Sequence, residues 1–288
     1  MKLVRFGPLG KERPGVLDAA GVLRDAGALV QDWTGTALTT SVLSRVARTD
    51  LSQLPEAPAG VRLGCPISGP GKIVCVGLNY SEHADETGFD VPKEPLLFFK
   101  SPTALSGPYD PIVLPRTAHS TDWEVELGVV IGEVARDVQV EQAGSYVAGF
   151  AVANDVTDRG WQFDRGGQWS KGKSADTFCP LGPCLVTTDE LPDSRDLGIW
   201  LKKNGELRQN TRTSGLVFSV NQIVSYLSEF MTLMPGDLIL TGTPQGVAYN
   251  KPDPDYLKAG DVINCGIEGL GEQRCIVRRA DGNNNSGE

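Results

Sequence analysis

Histidine is nearly absent from this chain: His83 and His119 are the only two in 288 residues. Chemistry that needs a cluster of imidazoles is excluded. Cysteine occurs six times, at 65, 75, 179, 184, 265 and 275, but never as a C-x2-C pair. With so few histidines, that spacing argues against a zinc framework. The thiols lie mostly inside apolar segments and read as reduced packing residues. Positive charge is scarce, with 27 Lys and Arg against 36 Asp and Glu and a net charge of -9. Such a balance gives no basic face for nucleic acid or an anionic membrane surface, although a local site can still take a small anion. No stretch approaches the roughly twenty apolar residues that cross a bilayer. The opening Met1-Lys2-Leu3-Val4-Arg5-Phe6-Gly7-Pro8 lacks the apolar core of a signal peptide, which sets the expectation of a cytoplasmic protein. What is present, 40% apolar and 22% charged residues, suits a soluble globular chain with a substantial core.

The chain divides by pattern. Residues 1–70 read as a small α+β unit, with short strands at 3–6, 14–17 and 22–24, a turn at 18–21, and helical apolar spacing over 38–47. A Pro- and Gly-bearing stretch at 54–71 reads as the linker. Residues 71–280 are strand-rich, with expected strands at 73–76, 96–99, 123–131 and 146–156. One helix is well signalled: Ser219 and Gln222 form a capping box ahead of Ile223, Val224, Leu227, Phe230 and Met231. Most contacts in such a pattern are non-local β pairing, so an α+β, β-rich domain is favoured over regular βαβ units. The polar segment 281–288 reads as a disordered tail.

Three carboxylates stand in apolar frames, Trp123-Glu124-Val125-Glu126-Leu127-Gly128 and Val152-Ala153-Asn154-Asp155-Val156. On an extended strand Glu124 and Glu126 share one face while Val125 and Leu127 point into the packing. Buried together, the two would repel unless a positive charge lay between them. A third carboxylate ending another apolar run points to a hard divalent cation with oxygen ligands, Mg2+ or Mn2+. The alternative is an antiparallel strand with a solvated acidic face. His83 lies in a segment that Ser81 can cap as a short helix and Gly88 can end, placing Glu86 three residues on and on the same side. A histidine oriented by a carboxylate can activate water, though such pairs are also common on surfaces. His119 has no such partner and reads as a loop residue. Lys173, among small residues in Lys171-Gly172-Lys173-Ser174, can approach an anion, or sit in a solvated turn. Thr243, in Thr241-Gly242-Thr243-Pro244, ends a strand in a loop that can cradle a carboxylate, or is simply a turn.

Together these segments resemble the fumarylacetoacetate hydrolase superfamily over residues 72–272, with weaker likeness before them. The matching motifs are Val-Gly-Leu-Asn-Tyr-Ser-Glu-His (76–83), Asp-Trp-Glu-Val-Glu-Leu-Gly-Val-Val-Ile-Gly (122–132), Tyr-Val-Ala-Gly-Phe (146–150) and Asn-Asp-Val-Thr (154–157). Gly-Lys-Ser (172–174), Asn-Gly-Glu (204–206), Pro-Gly-Asp (235–237), Thr-Gly-Thr-Pro (241–244) and Gly-Ile-Glu-Gly-Leu-Gly (266–271) complete the ordered set. The resemblance implies a mixed β-roll catalytic domain behind a small N-terminal domain, assembled as a homodimer. It implies that Glu124, Glu126 and Asp155 hold Mg2+ or Mn2+. It further implies that His83 and Glu86 form a water-activating dyad on a lid, and that Lys173 faces a developing enolate. Tyr80, Arg159, Gln162 and Thr243 fall where substrate contacts are expected. Many members carry Arg-Asp-x-x-Gln after the metal aspartate, whereas Gly160 follows Arg159 here, which bears on the substrate loop and not on the metal site. The opening segment and Gln-Trp-Ser-Lys-Gly-Lys-Ser (168–174) look like the bacterial sugar-acid branch, which includes 2,4-didehydro-3-deoxy-L-rhamnonate hydrolases.

The activity this implies is metal-dependent C–C hydrolysis of a small anionic 2-oxo acid, a 2,4-dioxo acid, to pyruvate and a second acid. The same metal enolate would also serve oxaloacetate decarboxylation or tautomerisation, or isomerisation or hydration of an unsaturated 2-oxo acid. The His83–Glu86 pair favours hydrolysis, because decarboxylation needs no attacking water. A non-catalytic binding module is the third reading, and retention of every candidate metal and base residue argues against it.

Overall fold

The computed structural model describes residues 1–191 and 193–280, so the expected tail at 281–288 lies outside the described residues. The chain is α+β and strand-rich. The large sheet runs in the order Leu23–Asp25, Arg13–Leu17, Lys2–Phe6, Leu185–Thr187, Val147–Asn154, Val125–Ile131, Leu238–Leu240, Ile73–Gly77, Leu96–Lys100, with Leu63–Gly64 paired to Lys2–Phe6 off that path. At its centre Val125–Ile131 lies antiparallel to both Val147–Asn154 and Leu238–Leu240. Every residue of the two longer central strands is buried. That is why, Glu126 and Asn154 apart, they read as continuous apolar runs.

A second sheet, in the order Glu206–Arg212, Gly198–Lys203, Val262–Ile267, Gly271–Arg279, Ile112–Leu114, packs on the first. Two buried glutamines tie the sheets together. Gln273 Nε2 donates to the carbonyls of Val152 (2.7 Å) and Pro180 (3.1 Å), while Gln209 Oε1 accepts from the Val125 N–H at 3.0 Å. Each amide satisfies backbone groups that would otherwise be buried without partners.

The first seventy residues hold the expected strands, and they continue the large sheet: Leu3 stands opposite Leu185. Leu3, Val16, Trp33 and Leu38 belong to the same apolar core as Val125 and Leu127. The helix expected over 38–47 divides into a 3-10 turn, Gly35–Leu38, and an α-helix, Thr40–Ala47, separated by extended Thr39. The capping box is formed as expected: Ser219 and Gln222 bond reciprocally at the start of Val220–Phe230. Among the described residues no helix is long and apolar enough to cross a membrane.

Strand direction assembles the candidate site. Val125–Ile131 begins where Val147–Asn154 and Leu238–Leu240 end, because both neighbours are antiparallel to it. Ile73–Gly77 runs parallel to Leu238–Leu240 and ends on the same edge. Residues 124, 155, 241–243 and 78–87 therefore converge, although the sequence separates them widely.

Candidate active site

Glu124 stands immediately before its strand and Asp155 immediately after the neighbouring one, joined by an Asp155 N–H to Glu124 carbonyl bond of 2.8 Å. Carboxylate oxygens of Glu124, Glu126 and Asp155 all lie within 4.8 Å of one another. The solvated-face alternative does not hold: the three residues are 4%, 1% and 0% exposed. Glu124 forms an ion pair with Arg159 Nη2 (2.7 Å) and accepts from Lys173 Nζ (2.6 Å), and Asp155 accepts from Lys173 Nζ (2.8 Å) and Lys100 Nζ (2.5 Å). Glu126 differs. Its Oε2 accepts the Gly242 N–H at 2.7 Å, and among the described residues no cation pairs with it.

The electrostatics follow from these partners. Burial opposes the charge on Glu124, but Lys173 and Arg159 prevail and hold its carboxyl down at about 2. Burial, reinforced by Asp155 and Glu124, pushes the Glu126 carboxyl well above the usual range. Burial would lower Lys173, yet Asp155 and Glu124 raise it above an ordinary lysine. A buried carboxylate with no cation beside it, flanked by two more, is a place that a positive charge would stabilise. The all-oxygen donor set fits a hard divalent ion such as Mg2+ or Mn2+ and does not suit a thiophilic one.

Lys173 reaches the cluster because of the residue before it. The short helix Trp169–Lys173 crosses the backbone at 158–162 so closely that a Cβ on Gly172 would sit 2.6 Å from the Asp158 carbonyl oxygen. Any side chain at 172 would push Lys173 away from Glu124 and Asp155. The departure at Gly160 has no such consequence, since a Cβ there would meet nothing nearer than 3.5 Å.

His83 lies on the helix Ser81–Thr87, which ends at Gly88 with φ +77°. The cap differs from the sequence expectation: Tyr80 holds the N-cap position, and Ser81 is the first helical residue. His83 is buried, with Nδ1 3.9 Å from Glu86 Oε2, so the pair faces without a hydrogen bond, and among the described residues Nδ1 has no other partner. Glu86 Oε2 instead accepts the Gly246 N–H at 2.8 Å, while Asn250 Nδ2 donates to the Glu86 carbonyl (3.3 Å) and Lys251 Nζ stands 3.7 Å from Oε1. Glu86 thus fastens this helix to the 246–251 loop. Burial works against its charge, but His83, the Gly246 N–H and Lys251 hold the carboxyl below the ordinary 4.5. A depressed carboxyl contributes stability above its unfolded pKa and loses it as pH falls through the folded one. Acidification from pH 4.5 down through the depressed value of this carboxyl is therefore expected to free the helix, read as faster pepsin cleavage within 81–95. Glu86→Gln should be cleaved fast at neutral pH by a neutral protease; unchanged cleavage would rule out this fastening.

The other expected residues divide. Arg159, Gln162 and Thr243 line one pocket with His83, Glu124, Glu126 and Lys173. Arg159 gives Nε and Nη2 to Asp122 Oδ2 (2.9 and 2.8 Å) and Nη1 to Gln162 Oε1 (3.1 Å). The Thr243 hydroxyl donates to the Val125 carbonyl (3.0 Å) and accepts from Gln209 Nε2 (2.8 Å), so its hydrogen is engaged in the fold. Tyr80 stands apart from the pocket lining: its ring packs on Gly215, and among the described residues its buried hydroxyl has no hydrogen-bond partner. His119 is exposed in an irregular stretch.

Two buried residues went unread in the sequence. Asp122 anchors Arg159 and also accepts the N–H groups of Ala248 and Tyr249. Lys100, 3% exposed, donates to Asp155 Oδ1 and to the Val156 carbonyl (3.1 Å). It holds one oxygen of Asp155 and neutralises it. Lys100→Met is expected to leave a buried carboxylate without that partner, costing about 3–5 kcal/mol of stability. Divalent-ion affinity should fall roughly 10–100-fold, as for outer-shell partners of metal ligands. Calorimetric titration with Mn2+ and a thermal melt check both; wild-type affinity in a destabilised protein would reduce Lys100 to a packing role.

Comparison with known proteins agrees with this geometry. Residues 72–278 match the family model described as fumarylacetoacetate (FAA) hydrolase C-terminal. A Burkholderia multivorans protein, named no further than as a provisional hydrolase, is 50% identical over 97% of this chain and 100% of its own length. The maleylpyruvate hydrolase of Sphingobium sp. SYK-6, solved in complex with manganese(II) ion and pyruvate, superposes with a TM-score of 0.80 at 32% identity, covering 97% of this chain and 99% of that one. A 2-hydroxyhepta-2,4-diene-1,7-dioate isomerase from Mycobacterium marinum superposes with a TM-score of 0.76 at 35% identity, with coverage of 97% and 99%. A family model spanning most of the chain, with relatives aligned along nearly their whole length, settles the kinship: the chain belongs to the fumarylacetoacetate hydrolase family of enzymes.

Proposed function

We propose that this protein hydrolyses the C–C bond of an acylpyruvate, a 2,4-dioxo acid, giving pyruvate and a second carboxylic acid, with Mg2+ or Mn2+ held by Glu124, Glu126 and Asp155. The observation that carries the reading is the buried carboxylate cluster beside a buried histidine whose Nδ1 faces Glu86. Charge supports it. Asp122, Glu124, Glu126 and Asp155 outnumber Lys100, Arg159 and Lys173 by one. A divalent ion would reverse that balance, and a monoanionic substrate would restore neutrality.

When bound, the metal would supply Lewis acidity that polarises a 2-oxo group and stabilises enolate charge. The chain's residues do the rest. Arg159 donates three hydrogen bonds from its five N–H groups beside its ion pair with Glu124, and Lys173 two from its three, so each keeps one for an anionic oxygen of the substrate. His83, with Nδ1 turned to Glu86, has Nε2 left to take a proton from water, whose oxygen adds to the 4-oxo carbon. The C3–C4 bond then breaks, its electron pair passes to the pyruvate fragment as enolate, and the proton held on His83 returns to C3. The free space within the pocket is about 30 Å³, room for water but not for a dioxo acid. Substrate entry therefore requires the pocket lining to open, and the His83 helix, whose polar ties to the 246–251 loop run through Glu86, is the element we propose moves.

The test is pyruvate release, coupled to lactate dehydrogenase, from acetylpyruvate, fumarylpyruvate, 2,4-dioxo-3-deoxy sugar acids and oxaloacetate, with Mg2+ or with EDTA. Metal-dependent pyruvate from a dioxo acid, with the matching second acid in the mass spectrum, supports the reading. The likeness to an isomerase favours a second one, isomerisation of an unsaturated 2-oxo acid through the same site. A spectral shift without pyruvate would select it, and pyruvate from oxaloacetate alone would select decarboxylation. The homodimer is proposed with the function; light scattering giving a monomer mass would remove it.

A further inference from the structure

The pocket has a charged end and an aromatic one. Phe163 stacks on Tyr249 at 4.9 Å and on Phe89 at 6.2 Å between ring centroids, and meets Trp169 edge-on at 5.8 Å. Trp169 in turn packs on Phe98 at 5.5 Å. This wall is accommodated by the backbone. Gly77 lies against the indole, and a Cβ there would sit 2.8 Å from the Trp169 ring. All five aromatic side chains line the pocket.

Its two cations are held at the carboxylate cluster and reach only the inner rings, Arg159 standing 5.4 Å from the Tyr249 centroid and Lys173 4.8 Å from that of Phe98. Arg159 bonds Asp122, Glu124 and Gln162, and Lys173 bonds Glu124 and Asp155. Among the described residues that line the pocket there is no other Lys or Arg. Flanking loop cations are engaged elsewhere, Lys171 on the Arg165 carbonyl and Lys251 beside Glu86.

We infer that the site, on the acylpyruvate reading above, selects substrates whose acyl group is neutral and apolar, an aryl or alkyl group, over those carrying a second carboxylate there. With the 2-oxo acid head at the carboxylate cluster, the acyl group falls against the rings. An aryl or alkyl group there loses water-exposed apolar area and stacks favourably. A second carboxylate would lose its hydration to ring faces that are themselves negative, and among the described residues no lysine or arginine stands over Phe89, Phe163 or Trp169 to replace it. The selectivity would separate this protein from the two solved neighbours, whose names denote substrates with two carboxylates.

The test uses ligands that cannot be hydrolysed. 2-Oxo-4-phenylbutanoate and 2-oxoadipate share the 2-oxo acid head, lack a 4-oxo group, and differ in carrying a phenyl group or a second carboxylate. Binding to the full chain in saturating Mn2+ is measured by calorimetry and by fluorescence of the pocket tryptophan. The phenyl ligand is expected to bind at least about tenfold more tightly, in the range that pocket complementarity provides. Equal affinity, or tighter 2-oxoadipate, would overturn the inference. Phe89 is 39% exposed, so Phe89→Arg is tolerable in the fold and places a cation on the wall. It should narrow the ratio by about fivefold or more through the added ion pair, and an unchanged ratio would mean that this wall does not set the preference. Hydrolysis is scored separately, as pyruvate from 2,4-dioxo-4-phenylbutanoate. Selective binding without pyruvate would count against the hydrolase reading alone.

Discussion

Glu126→Gln is expected to abolish divalent-ion binding and lower turnover by at least about a thousandfold, the scale of losing a principal electrostatic stabiliser. The substitution keeps the volume and an oxygen near the Gly242 N–H, so the loss would report charge and not packing. Metal-free stability should respond in the opposite sense. Burial, with Asp155 and Glu124, raises the Glu126 carboxyl well above its ordinary 4.5. A carboxyl raised on folding contributes stability below the unfolded value and loses it as pH climbs toward the folded one. In EDTA, wild-type protein should therefore weaken as pH rises above 4.5, and Glu126→Gln should lack that slope. The neighbouring Glu124, held at about 2, acts in the other direction, losing its contribution as pH falls from 4.5 toward 2. Adding Mn2+ at about a hundred times its dissociation constant should stabilise wild type by about 2.7 kcal/mol through mass action. The variant should gain nothing, and a metal-induced shift of the same size in Glu126→Gln would remove Glu126 from the ligand set.

The parts of this site that were legible in the sequence are those a strand arranges locally. Glu124 and Glu126, two apart, share a face of any extended backbone, and Asp155 closes an apolar run that reads as a strand. Those patterns led to the cluster before any pairing was known. Lys100 was not legible for the complementary reason. Its partner Asp155 is 55 residues away, and a lysine ending Leu-Leu-Phe-Phe-Lys looks like one carrying its ammonium out to water. Asp122 sits within a matched motif, yet its hold on Arg159 spans 37 residues. Nothing near Leu3 signals that it will pair with Leu185, so the continuity of the N-terminal strands with the large sheet was invisible as well. Side-chain volume and alternation report which face is buried; they do not report which distant edge covers it. The cap of the His83 helix failed on a finer scale, where Ser81 suits an N-cap by type but Tyr80 occupies the position by geometry.

His83→Ala separates the proposed chemistry from metal binding. His83 is not among the three clustered carboxylates, so Mn2+ affinity should stay within about threefold of wild type, while hydrolysis falls by roughly 10²–10⁴, the usual contribution of a positioned general base. The buried ring leaves a cavity, so His83→Gln serves as the volume-matched control and should show the same loss without the destabilisation. The decisive comparison is between reactions. Hydrolysis requires that water be deprotonated as it adds to the 4-oxo carbon, whereas loss of CO2 from oxaloacetate requires only that the enolate be stabilised. If His83 is the base, the variant should lose dioxo-acid hydrolysis and retain whatever oxaloacetate decarboxylation the wild type shows. Equal loss of both would recast His83 as a substrate-holding residue, and full retention of hydrolysis would dismiss it from the mechanism. Glu86→Gln should then fall between these cases, because it keeps the imidazole but loses both the carboxylate, 3.9 Å away, that would stabilise its protonated form and the tie of the helix to the 246–251 loop.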